Sequence, residues 1–478
     1  MTALAIDFGH THTLVARWNL LTNQPEICHF PHLGNELGLI PSVVGQNTIG
    51  QPAQDGLIRG EYGQDQLKRL ALTGQVEPAQ KFWAHLLQAI HALPMHIDRV
   101  VLTAPVQAPE PYLRLLESIC ESGQIPRVVW LDEPIAASVG YGIREDQQLV
   151  LVIDFGGGSL DLALVRLHFP DRAQVIAKTG QLIGGIDIDH YLLKELWGRP
   201  PARQLPFYLA LAERLKISLS TVTETELPYY DIFHHRSGKV TYSRRQLEAL
   251  LAENGFYQIV QSAVAQILAM ALDKGVLKMD IQQIILIGGS SLVPSVQSLI
   301  QSLCPWTTIR CNQPLTAVVA GAIATDHYYR HQLQDHLFHS YAIRYWHAGN
   351  QTWAYHPLFS KGQPYPTTHP QVIYLQASRP QQTHMDLILG ELEDRSSQSA
   401  EITWQGERLV AVCSPEPQMV FHQLNTNTIV PLDPVGEMGV DRLRLEFEIS
   451  KYRELLMTVW DLLLDRPLTV KQVVAKLR

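Results

Sequence analysis

Residues 149–164 read LVLVIDFGGGSLDLAL, and the fold is decided by how that stretch is read. Leu149 to Ile153 is an unbroken apolar run, the pattern of a strand buried on both faces. Asp154 and Phe155 follow, then Gly156, Gly157, Gly158 and Ser159. The alternation Leu160, Leu162, Leu164 then opens a second strand with Asp161 inside it. Consecutive glycines make a turn, and a turn without side chains lets backbone N–H groups converge on an anion. Carboxylates beside such a nest would repel a bare phosphate. A divalent cation between carboxylates and phosphate, reached through water, removes that conflict. An ordinary glycine-rich hairpin is the competing reading of this stretch taken alone.

An echo near the N-terminus weakens the competitor. Ile6-Asp7-Phe8-Gly9 repeats Ile153-Asp154-Phe155-Gly156, each copy after a short apolar run and before hydroxyl residues and a second apolar stretch. The pair predicts a duplicated α/β fold with two facing phosphate loops and a nucleotide in the cleft between the halves.

At 478 residues the chain exceeds a single core, so at least two domains are expected. A formal charge of −8 disfavours nonspecific binding to nucleic acid or anionic membrane. No apolar run reaches membrane-spanning length, and MTALAIDFGH has no basic n-region, so neither a span nor a signal peptide is predicted and a cytoplasmic location is expected. The five cysteines show no C-x-x-C spacing and read as reduced thiols. None of the 20 histidines falls in a zinc-ligand pattern; His234-His235 reads as an exposed turn.

Along the chain, VVLTAP at 100–105 is a buried strand, 111–123 has helical spacing, and 128–131 is another strand. Small residues at 135–142 and 317–324 predict helices that pack closely. Gly184-Gly185 opens a helix through Trp197, and Glu213 and Lys216 share one helix face. A hairpin over 227–242 is expected to turn at Ser237-Gly238, and 245–274 reads as helix. Strand IILI at 284–287 ends at Gly288-Gly289-Ser290. From His327 the texture changes to a polar, histidine-rich connector and then short alternating runs, predicting an antiparallel β domain; 468–477 reads as a short helix at most. The expected division is a nucleotide-binding domain at 1–326, a linker at 327–340 and a β-rich domain at 341–478.

These motifs resemble the actin-like (ribonuclease H-like) ATPase superfamily, and within it the DnaK-type chaperones of the heat shock protein 70 family. The resemblance is carried by IDFGHTHT (6–13), DEPIAASVGYG (132–142), IDFGGGSLDLAL (153–164), GGIDIDHYL (184–192), AERLKISLS (212–220) and LIGGSSLVPSVQ (286–297), in family order. Residues 358–377 and 443–461 are similar to parts of the chaperones' substrate-binding β-sandwich. The resemblance implies binding of ATP or ADP with Mg²⁺. Asp7, Glu133, Asp154 and Asp161 would surround the metal and the attacking water, with Asp7 and Asp154 reaching the metal through water. Gly9, His10 and Thr11 would hold the phosphates together with Gly156, Gly157, Gly158 and Ser159. Lys68 would orient the water. Glu213, Lys216, Ser220, Gly288, Gly289 and Ser290 would hold ribose and adenine beside Gly184 and Gly185. Lys68, Glu133, Asp154 and Asp161 are the expected catalytic set.

The chain also departs from the family. His10 replaces a threonine of the first phosphate loop, and Ser159 keeps the hydroxyl of one in the second. Ile217 and Leu292 stand where arginines clamp adenine, and Leu315 replaces an aspartate. The segment between Ile49 and Val100 is short, Leu337-Phe338 is a poor match to the family's linker, and no helical lid is expected after the β domain. The leading expectation is a chaperone-like ATPase that couples nucleotide state to an unfolded peptide or protein client, with a co-chaperone. A pseudo-ATPase scaffold and a small-molecule kinase of the same fold are the alternatives.

Overall fold

The computed structural model describes residues 3–477 except 107, 109, 144, 146, 169–171, 330–334, 338, 348–351, 362, 395–399, 406–407, 414–418, 426–427 and 451–453. The chain divides into two compact units, Met1–Gln332 and Leu333–Arg478.

The first unit is built on two sheets with the same strand order and directions. In one, Gln24–Ile27, His12–Asn19, Ala3–Phe8, Arg99–Ala104 and Val128–Asp132 lie side by side; in the other, Arg172–Gln181, Leu160–His168, Leu149–Phe155, Gln283–Ile287 and Ile309–Arg310. The first three strands of each run antiparallel and the last two join in parallel. Ala3–Phe8 and Leu149–Phe155 are central, and their apolar runs are buried on both faces, as the sequence pattern predicts. Helix Leu205–Thr221 and the pair Arg244–Glu253 and Phe256–Asp273 pack into the core of the second sheet. The predicted helix over 245–274 breaks at Gly255, whose φ of +72° is outside helical geometry. No single described helix is long and apolar enough to cross a membrane.

The two small-residue helices, Glu133–Gly140 and Ala317–Tyr329, pack on each other. A Cβ on Gly321 would strike the carbonyl oxygen of Ala136, and one on Gly140 that of Ala317, so the backbones touch. The second helix runs to Tyr329, into the stretch read as connector, because His327 stacks on Trp18 at 4.0 Å and Arg99 pairs with Asp326 through both oxygens. Phe338 and part of the expected linker lie outside the described residues.

The hairpin of strands Glu224–Asp231 and Arg236–Ser243 turns at 232–235 rather than at Ser237-Gly238. Buried Asp231 accepts hydrogen bonds from the backbone N–H groups of Phe233 and His234 and from the His234 ring, which fixes the turn there.

The second unit is antiparallel β. A five-stranded sheet includes Ser340–His347, Thr352–Phe359 and Gln382–Asp394; a four-stranded one orders Gln371–Gln376, Asp441–Ile449, Glu454–Asp461 and Arg466–Lys476. Tyr341, Phe359, Leu389, Leu445, Phe447 and Met457 from both sheets share one core. The last strand corrects the expected short helix at 468–477. Its β-branched residues Thr469, Val470, Val473 and Val474 favour strand, and Glu454–Asp461 offers a partner edge.

Replacing Gly321 by Ala forces two helix backbones apart. Chemical denaturation should show a loss of about 1–3 kcal/mol, and an unchanged midpoint would contradict the close contact.

Candidate functional site

Each sheet sends one tight hairpin into the space between them. In the first, Gly9 N–H donates to the His12 carbonyl at 3.0 Å, leaving His10 and Thr11 at the tip. In the second, Gly156 N–H donates to the Ser159 carbonyl at 3.0 Å, leaving Gly157 and Gly158. The tips face each other. A Cβ on Gly157 would collide with the Thr11 side chain, and one on Gly158 would sit 3.5 Å from the His10 ring.

Both loops are braced from behind at the same carbonyl. Ser42 Oγ donates to Gly9 O at 2.9 Å, and Ser290 Oγ to Gly156 O at 2.7 Å. Gly185 N–H also donates to Gly156 O, at 3.1 Å, and Ile186 N–H to Gly157 O at 2.9 Å. A side chain on Gly184 would run into the backbone of Gly157. Gly288 has φ +81° and lies against the Phe155 carbonyl and an Asp154 carboxylate oxygen, so only glycine fits there. Gly289 lies beside Leu315. These glycines shape the loops' supports.

At the floor are the carboxylates. Asp154 is the register partner of Asp161 across its hairpin, so both side chains emerge on one face. Ser159 Oγ donates to Asp161 Oδ2 at 2.6 Å. Asp7 Oδ1 accepts from Thr103 Oγ1 at 2.7 Å. Lys68, 4% exposed, reaches Glu133 Oε1 at 2.7 Å. Burial raises the pKa of Asp7 to about 6, with Glu133 adding to the rise and Lys68 and Thr103 opposing it. Burial, then Glu133, Asp161 and Asp7, push Asp154 well above the usual carboxylate range. Asp161 is raised by burial as well, against its bond from Ser159. For Lys68, burial works against the ammonium, but Glu133, Tyr112 and Asp7 outweigh it and hold the pKa above its ordinary value. The floor therefore carries more negative charge than the chain itself compensates.

His10 is held neutral, its pKa lowered to about 3 by burial and by Lys68 and Arg69. His12, whose Nδ1 lies 3.2 Å from Thr11 Oγ1, is also lowered, by burial first and by Lys216, against Glu213.

On the other side of the cleft, Lys216 Nζ donates to Asp189 Oδ2 at 2.8 Å and to Gly185 O at 3.1 Å. Burial raises Asp189 to about 7 despite that lysine. Glu213 is half-buried, one turn before Lys216. Ser220 turns back on its own helix, donating to Lys216 O at 3.0 Å. Ile217 and Leu292 present apolar surface at 58% and 39% exposure.

Thr103, Ser42, His12 and Asp189 went unread in the sequence. Asp189 sat inside the quoted GGIDIDHYL motif, and Thr103 inside VVLTAP. Nothing local marks Ser42, whose role depends on a contact 33 residues away. Among the described residues, no three His, Cys, Asp or Glu side chains stand close enough to hold a metal by themselves.

Comparison with known proteins adds a consistent set of relatives. The profile of the family described as "Hsp70 protein" matches residues 124–326. A chaperone protein HscA from Edwardsiella ictaluri is 31% identical over 375 residues, covering 67% of this chain and 57% of its own. Chaperone proteins DnaK from Halobacterium salinarum and Methanothermobacter thermautotrophicus are each 26% identical, covering 67% of this chain and 54% and 58% of theirs. The chain thus spans little more than half the length of these relatives.

Raised carboxylate pKa values make the ligand-free fold less stable as pH rises. The contribution of Asp7 is fully present below 3.8 and lost as pH passes through about 6. Neutralising a neighbour relieves the repulsion. Asp154→Asn should raise the melting temperature of the ligand-free protein by a few degrees at pH 7.5, and by less at pH 5. A melting temperature equal to or below wild type at pH 7.5 would contradict the charge excess.

Proposed function

We propose that this chain, which belongs to the Hsp70 family, binds ATP or ADP with Mg²⁺ between its two hairpin loops, hydrolyses ATP slowly, and couples nucleotide state to a client. One observation carries the reading: equivalent hairpins face each other above a floor with excess negative charge. The two sheets are then duplicated halves of an actin-like ATPase domain at 1–326. The unit beyond the linker at 327–340 is then a β-sandwich for an unfolded peptide or protein client, in a cytoplasmic chaperone that also meets a co-chaperone.

The residues fit a magnesium ion. Buried oxygen donors suit a hard cation, and the uncompensated charge gives it a reason to bind. Since the carboxylates do not form a complete ligand set, Asp7 and Asp154 would act through water. Bound Mg²⁺ supplies charge neutralisation on the phosphates. The backbone N–H groups of Gly9 to Thr11 and Gly156 to Ser159 would hold the phosphate oxygens, and Lys68, fixed by Glu133, would orient the water. The water oxygen bonds to the γ-phosphorus as the bond to the β–γ bridging oxygen breaks. ADP leaves with that electron pair, and the water's proton passes to the released phosphate. Lys216 and Glu213 face the ribose side. Ile217 and Leu292, both exposed, would gain a partner in the adenine ring, whereas Ser220 is committed to its own helix.

Calorimetry tests the site. ATP should bind in the presence of magnesium, with binding lost or much weakened in Asp154→Ala; equal affinity in both would remove the assignment. An aliphatic clamp offers no hydrogen bonds to the base, so GTP should bind within about a hundredfold of ATP. A wider gap would refute this form of base recognition.

The position of His10 favours a second reading, a pseudo-ATPase that binds nucleotide without useful turnover. The neutral ring stands against Gly158, between the loops, where bulk displaces the in-line water. His10→Thr should raise the single-turnover rate with a smaller change in ATP affinity. An unchanged or slower rate would show that the ring does not limit the chemistry.

A further inference from the structure

Tyr112 is the third residue of helix Glu110–Ser122 and is 1% exposed. Its hydroxyl is buried and has no hydrogen-bond partner among the described residues. The helix packs on Leu67–Leu72, the helix that carries Lys68. The charges of Lys68, Glu133 and Asp7 all bear on the phenol, so it lies within electrostatic reach of the cleft floor.

A buried hydroxyl without a partner bears the full desolvation penalty of the group with nothing to offset it. Phenylalanine would fill the same volume without that cost, so a tyrosine here calls for a partner that none of the described residues supplies. The missing group must be small and polar to fit a buried site already crowded with charge. Water meets both conditions. Burial pushes the phenol's pKa upward, so it stays protonated and can donate at neutral pH.

We propose that Tyr112 Oη anchors an ordered water at the cleft floor beside Lys68 and Asp7, and that this water helps place the nucleophile for the γ-phosphate. Tyr112 is thus a positioning residue, acting through solvent and touching neither phosphate nor metal. The inference rests on the ATPase reading for its second half only; the anchored water stands on the orphaned hydroxyl.

The test uses the full chain and the variants Tyr112→Phe and Tyr112→Gln. Single-turnover hydrolysis should slow about tenfold in Tyr112→Phe, with ADP affinity within about twofold of wild type, the split expected of positioning and not of binding. Tyr112→Gln, which keeps a donor, should turn over faster than Tyr112→Phe. Equal rates in wild type and Tyr112→Phe, or equal slow rates in the two variants, would overturn the positioning role. A high-resolution crystal structure of the free wild-type protein decides the anchor independently of turnover or of any variant's folding. Ordered solvent within hydrogen-bond reach of Oη is expected, and a dry site would overturn the proposal. If the wild type binds ATP but never hydrolyses it, the ATPase reading falls while the solvent at Oη still stands or falls on the crystal structure.

Discussion

The first unit is organised by a mismatch of buried charge. Asp7, Asp154, Asp161 and Glu133 meet at the floor of one cleft, and Lys68 is already committed to Glu133 at 2.7 Å. Coulomb repulsion between such groups is strong away from water, so the ligand-free protein bears a penalty at neutral pH that an external cation would remove. The two central strands, each buried on both faces, supply the rigidity, and Asp7 and Asp154 come at their ends.

The loops above the floor depend on the same rigidity. Each is closed by one N–H to carbonyl bond and braced by one buried serine hydroxyl on the equivalent glycine carbonyl, from Ser42 in one half and Ser290 in the other. Backbone N–H groups at the tips remain available for an anion because the bracing uses carbonyls. The close helix pair at Ala136 and Gly321 fixes the sheets' supporting layer, where a single added methyl group meets backbone. The positive φ at Gly288 and the crowding at Gly184 belong to the same construction: chain must pass directly behind the second loop.

Much of this was legible in the sequence because it depends on local pattern. The apolar runs before Asp7 and Asp154, the glycine turns and the small-residue helices each carry their own signature over a few residues. What escaped depends on long-range contact. Ser42 and Thr103 became site residues only when the sheet brought them beside Gly9 and Asp7. Tyr112 looks like an ordinary apolar helix position until its hydroxyl is found without a partner among the described residues. The hairpin turn at 232–235 was misplaced because glycine at 238 is a stronger local signal than the aspartate that fixes the turn by accepting three hydrogen bonds. At the terminal strand, Thr469, Val470, Val473 and Val474 are a local strand signal, but the pairing edge that fixes it lies on Glu454–Asp461 and is not legible locally.

If the two hairpins form one phosphate site, a crystal structure of the full chain with ADP and magnesium should show the phosphates between Gly9–Thr11 and Gly156–Ser159, with the magnesium on the side of Asp7 and Asp154. Nucleotide bound elsewhere, or phosphates held by one loop while the other stays uninvolved, would contradict it.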